Sequence, residues 1–158
     1  MMSDPIEIDN ETAALIDVSA IGELAKHHLE YLRIHPEARM SVTFIDTERM
    51  TTLHEDWMQE PGSTDVLSFP IDEITMPLKG LEDAEDTVSK NGFLGDIVIC
   101  PDFLPAQMIE FGRSLQQECE YLVTHGILHL LGLDHQEEEE HRHMFTLTDT
   151  LLSDWHDQ

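Results

Sequence analysis

The sequence predicts one α+β domain spanning residues 1–158. Short alternating segments rich in strand formers stand beside longer segments with the apolar period of a helix. The two kinds do not follow one another as strict βαβ units, and no internal repeat or second domain is visible. A length of 158 residues with 41% hydrophobic residues suits a single core, which at this size buries roughly 70% of the unfolded chain's surface.

The elements follow in order. Ile6-Glu7-Ile8 alternates and reads as a first strand, and residues 17–32 form a helix with Ile21, Leu24, Ala25, His28 and Leu32 on one face. Residues 40–45 alternate as a second strand. Asp46 or Thr47 then caps a helix that carries Met50, Leu53 and Trp57 inward. Residues 60–63 make a turn, and residues 66–69 a short strand closed by Pro70. The acidic stretch 77–91 has no period and reads as a long loop. Residues 94–100 are an apolar strand with Asp96 inside it, and Pro101 opens a short helix ending near Gly112. Ser114 and Gln117 have capping-box spacing, so a long helix runs from there to Leu131, with Gly132 at its C′ position. A last helix puts Met144, Leu147, Leu151 and Trp155 on one stripe.

Charge limits the function classes. Thirty-three acidic residues face eight scattered basic ones, for a net charge of -25. Tight, non-specific binding of nucleic acid by the chain alone is therefore disfavoured, because Lys and Arg clusters supply that affinity. A local site with a divalent cation remains compatible with this charge. No apolar run reaches the ~20 residues of a membrane helix, and MMSDPIEIDN lacks the regions of a signal peptide. Two cysteines, Cys100 and Cys119, form no pattern. The expected compartment is a reducing cytoplasm.

The chemistry concentrates in HGILHLLGLDH, residues 125–135. Residues four apart on a helix differ by only ~40° around its axis, so His125 and His129 project from one face. Gly132 lets the helix stop and the chain turn, which can bring His135 to the same ion. Three imidazoles leave one tetrahedral position open, the arrangement of a catalytic zinc site, where bound water becomes a nucleophile at neutral pH. A lone histidine is more often a core or surface residue, and the pair alone is weak. The third histidine after a helix-ending glycine strengthens it. His141 and His143 are expected at the surface, and His27, His28, His35 and His156 have no metal-like spacing. The spacing also matches the metzincin proteases, HExxHxxGxxH, except that their general-base Glu is here Gly126. Asp96, Glu118 and Asp134 are the acidic candidates for a proton acceptor, with Asp134 read as a group orienting an imidazole. Asp96 is expected to pair with Arg113 or a helix start, and Asp65 to cap a turn.

Together with STDVLSFP (residues 63–70) and LGDIVIC (residues 94–100), the histidine string resembles the YbeY family over nearly the whole chain. The resemblance implies a small mixed β-sheet packed with several helices, with the metal in a cleft. It implies Zn2+ held by His125, His129 and His135, and a metal-dependent endoribonuclease specific for single-stranded RNA. The implied role is ribosomal RNA maturation, notably at the small-subunit 3′ end, and ribosome quality control. The implied partners are precursor ribosomal RNA and a ribosome or ribosomal protein, with no membrane and no DNA.

One segment departs from the family pattern. Where many members have LNxxYR, this chain has Leu53-His54-Glu55-Asp56-Trp57-Met58. His54 stands for Asn, and Met58 for the Arg expected to contact phosphate. Arg113, Arg49 or His54 are the substitutes available, Ser68 is a candidate hydrogen-bond donor, and Met58 itself reads as a core residue beside Leu53 and Trp57. The reading is therefore phosphodiester hydrolysis by zinc-bound hydroxide. The alternatives are a zinc-containing assembly factor without activity and a metal-dependent hydrolase of another substrate, such as a peptidase.

Overall fold

The computed structural model describes residues 5–34, 36–60, 62–70, 93–133 and 138–157. Strands β1 (Ile6–Asn10), β2 (Arg39–Phe44), β3 (Val66–Pro70) and β4 (Phe93–Ile99) form one sheet in the spatial order β1-β2-β4-β3. The first three neighbours run parallel and β3 is antiparallel to β4. Five helices accompany it: α1 (Val18–Tyr31), α2 (Thr47–Met58), α3 (Pro105–Phe111), α4 (Leu115–Leu130) and α5 (Glu138–His156). This is the expected α+β fold with a small mixed sheet. The stretch β1-α1-β2 is nevertheless a parallel unit, which the irregular order of elements along the chain concealed. The expected acidic loop at 77–91, His35, Asp134 and His135 lie outside the described residues.

Alternation along the strands gives the sheet two different faces. Met40, Val42, Phe44, Ile97 and Ile99 face α1, α4 and α5 and make the main core. Leu67, Val98 and Cys100 face the other way and close a smaller core with Met50 of α2. Helix starts match the expected caps: Asp17 accepts from the Ala20 amide, and Asp46 from the Arg49 amide. Both halves of the Ser114–Gln117 capping box are formed, at 3.1 and 2.9 Å. The segment after Pro101 divides into a 3₁₀ turn (Pro101–Phe103) and α3, where one helix was expected. Pro105 explains the break: Leu104 keeps helical backbone, but Pro105 has no N–H with which to carry the hydrogen-bond ladder on from the Pro101 turn.

Two expectations for α2 fail. Trp57 is 66% exposed and Met58 52% exposed, so neither belongs to the core. The helix touches the sheet mainly through Met50, and Trp57 lies edge-on against Phe69 at 5.3 Å.

His28 of α1 is fully buried and takes part in a hydrogen-bonded chain that joins three helices. The Thr124 hydroxyl has one proton, which it gives to the Glu120 carbonyl at 2.7 Å. His28 Nε2 therefore donates to Thr124 Oγ1 at 2.8 Å, and His28 Nδ1 accepts from His27 Nδ1 at 2.9 Å. His27 closes the chain on Asp154 of α5 at 2.6 Å. Burial, with the neighbouring His27, pushes the His28 pKa down to about 3, so it packs as a neutral ring.

Helix α4 approaches β4 closely at two glycines. A Cβ on Gly126 would lie 2.8 Å from Ile97 Cδ1 and 3.1 Å from both its γ carbons. A Cβ on Gly95, which has φ +145°, would lie 2.8 Å from Leu130 Cδ2 and strike the Phe69 carbonyl. Gly126→Ala is expected to lower stability in urea unfolding by ~1–2 kcal/mol, overpacking outweighing alanine's better helix propensity. Adding Ile97→Val should return part of that loss. Additive effects of the two substitutions would show that the contact is not tight.

Candidate metal centre

Helix α4 is enclosed on nearly every side. Among residues 118–130 only Tyr121, His125 and His129 are not buried, and they stand four apart on one stripe. The other faces meet β3, β4, α1 and α5. The two imidazoles lie edge to face, with centroids 4.9 Å apart and planes at 80°. One tetrahedral zinc with Zn–N bonds of ~2.1 Å holds two imidazole centroids about 5 Å apart, so the pair fits a shared ion.

The helix then ends as Gly132 requires. Gly132 has φ +92°, its amide bonds to the His129 carbonyl, and the Leu133 amide bonds to the Leu128 carbonyl, both at 3.0 Å. These are the two bonds of a Schellman turn, which reverses the chain sharply. His135 follows two residues later, outside the described residues. Among the described residues no group of three histidine, cysteine or carboxylate side chains is assembled.

Rings surround the pair. Tyr121 stacks on His125 at 6.0 Å and 13°, and Phe145 of α5 meets His125 at 6.0 Å and 56°. Burial raises the Tyr121 pKa above its ordinary value, so the phenol stays neutral. The Arg113 guanidinium sits 4.3 Å over the Tyr121 ring and 4.9 Å over Phe111, and bonds to the buried Glu118 carboxylate at 3.1 Å. The spacing of Tyr121, one turn before His125, is a signal visible in the sequence. Phe145 carries none, because only the packing of α5 on α4 brings it there.

Several expected roles change. Asp96 pairs with the Ser41 hydroxyl on the sheet face opposite α4, so its partner is neither Arg113 nor a helix start. Glu118 is buried under Arg113. Asp96 thus faces away from the histidine stripe, whereas Glu118 lies two turns before His125 on the same helix with its carboxylate engaged by Arg113. His54 holds the α2–β3 turn, with Nδ1 donating to the Gly62 carbonyl at 3.1 Å. Asp65 works as a turn anchor: its side chain accepts from Gln107 and its carbonyl from the Cys100 amide, each at 2.8 Å. Ser68 is half-buried and lies opposite Ile97, on the side of the sheet that α4 covers. His141 is exposed and meets Phe145 at 4.5 Å, whereas His143, expected at the surface, is half-buried. An open cleft of about 920 Å³ on the outer sheet face is lined by Ser41, Arg49, Trp57, Phe69 and Asp96. Arg49 there pairs with Glu11. Among the described residues no histidine lines this cleft.

The family model described as endoribonuclease YbeY matches residues 7–156. The chain belongs to the YbeY family. Curated relatives of that name include one from Thermobifida fusca, 47% identical over 95% of this chain and 93% of its own. Another, from Beutenbergia cavernae, is 46% identical over 92% and 93%. A solution structure of a Thermotoga maritima protein aligns with TM-score 0.55 over 96% of this chain and 92% of its own, at 23% identity, and shares the fold. The YbeY match runs through β3, β4 and the α4 stripe alike.

His129→Ala is expected to remove zinc from the purified protein while leaving its far-ultraviolet circular dichroism close to wild type, since the stripe faces outward. Full zinc occupancy in this variant, measured by elemental analysis, would exclude His129 as a ligand.

Proposed function

We propose that this chain is a zinc-dependent endoribonuclease that cleaves single-stranded RNA. Its proposed place is the maturation of the small-subunit ribosomal RNA 3′ end and ribosome quality control in the cytoplasm. The observation that carries the reading is the single accessible stripe of α4, with His125 and His129 one turn apart in a chain of the YbeY family. Zinc would be held by His125, His129 and His135, and when bound it activates water and polarises a phosphoryl oxygen.

The chain's own residues define the rest of the chemistry. A peptidase mechanism of the metzincin kind needs a glutamate at position 126. The tight contact with Ile97 excludes that side chain, as well as the sequence lacking it. Arg113 takes over the charge that Met58 cannot supply. It meets the Phe111 and Tyr121 rings, one ring away from His125, and its side chain keeps 29% of its exposure. A guanidinium so placed binds a phosphate by its edge. The strong negative charge implies that a ribosomal protein or the pre-ribosome helps to deliver the RNA. No helix among the described residues is long and apolar enough to cross a membrane, and both cysteines are free and buried. These features suit the proposed compartment.

The test is cleavage of a labelled single-stranded RNA by the pure protein. Cleavage should stop in EDTA and return with zinc. Arg113→Gln should lower kcat/KM by roughly 10–100-fold, the cost of a lost charged hydrogen bond, and Arg113→Lys by less. Undiminished cleavage by metal-free protein would overturn the proposal, and a zinc-loaded protein inert on every RNA would favour an assembly role without catalysis.

A further inference from the structure

We infer that Phe111, Tyr121 and Phe145 form a stacking surface for unpaired bases beside the histidine pair, and that this surface makes the site selective for single-stranded RNA. The inference rests on the reading of the chain as an endoribonuclease and names the residues that select its substrate.

Three observations link the rings in one chain of contacts. Phe111 and Tyr121 both meet the Arg113 guanidinium, at 4.9 and 4.3 Å. Tyr121 stacks nearly parallel on His125. Phe145 also meets His125, at 6.0 Å, and is in turn met by His141 at 4.5 Å. This row of contacts joins the end of α3, α4 and α5 through His125.

The row is open to solvent. Phe111 is 56% exposed and Phe145 37%, while Tyr121 is half-buried. Each such ring would contribute more to stability inside a core than at the surface. Tyr121 packs partly against the main core, but Phe111 and Phe145 are exposed, and core packing gives those two rings no reason to stand by the accessible stripe of a helix that is otherwise enclosed. Stacking of bases does. Every base has a π face, so aromatic side chains bind single strands with little regard to sequence. A duplex hides those faces within its own stack, and its bases cannot reach such rings.

Charge points to the same mode. With a net charge of -25 the chain cannot hold RNA by a basic groove. Stacking supplies affinity that does not depend on counterion release, and Arg113 supplies one local phosphate contact.

Stopped-flow mixing of zinc-loaded protein with RNA carrying 2-aminopurine reads stacking, as fluorescence quenching, before cleavage begins. Wild type should quench a single-stranded octamer and leave the matching duplex bright. Phe111→Leu and Phe145→Leu should each weaken single-strand binding by roughly 5–150-fold, the range for losing one stacked base. Zinc content should be unchanged. Phe111→Tyr and Phe145→Tyr should keep quenching and affinity, which separates a role for the ring from general damage to the fold. If wild type binds and cleaves the octamer while the Leu and Tyr variants behave alike, the stacking surface is wrong and the nuclease reading stands. Equal quenching of duplex and single strand would overturn the inference too. If wild type neither binds nor cleaves any RNA, the nuclease reading itself fails.

Discussion

Helix α4 lies against β4 at a separation set by a glycine on each side of the contact. Gly126 turns its bare Cα toward Ile97, and Gly95 leaves room for Leu130 and for the neighbouring Phe69 carbonyl. Because the helix sits this deep, its other flanks are covered by α1, α5 and β3. What remains accessible is a stripe one residue wide. Past the first turn of α4, only positions 121, 125 and 129 are left accessible. The same contact that positions two imidazoles also removes the place where a protease of similar histidine spacing would carry its base.

Buried polar groups support this placement from behind. Thr124, adjacent to His125 in the chain, is held by the neutral His28 and through it by His27 and Asp154. The three helices behind the stripe are thus tied by directional bonds as well as by apolar packing. Such a network, satisfied at every member, specifies one arrangement of helices more sharply than hydrocarbon contact does. Arg113 and Glu118 do similar work at the start of α4, where the buried carboxylate needs a cation and the cation gains a fixed position.

The sequence was most legible where a local rule sets the structure. The Ser114–Gln117 box, the Gly132 turn and the four-residue spacing of the histidines involve residues within one or two turns of each other, and all three appear as expected. It was least legible where two distant elements meet. The partner of Asp96 is Ser41, 55 residues away, and strand alternation alone could not choose it over Arg113. Trp57 and Met58 fit a helical apolar period, yet α2 covers only part of a small sheet, and no described residue packs over its last turn closely enough to bury them. The parallel pairing of β1 with β2 and the approach of Phe145 to His125 belong to the same class of long-range facts.

The account stands or falls on what the histidine stripe holds. Zinc K-edge X-ray absorption of the purified protein counts the ligands directly. The account predicts three imidazole nitrogens at ~2.0–2.1 Å, with a light-atom ligand in the fourth position. Sulfur scattering at ~2.3 Å, or no histidine signature, would contradict it.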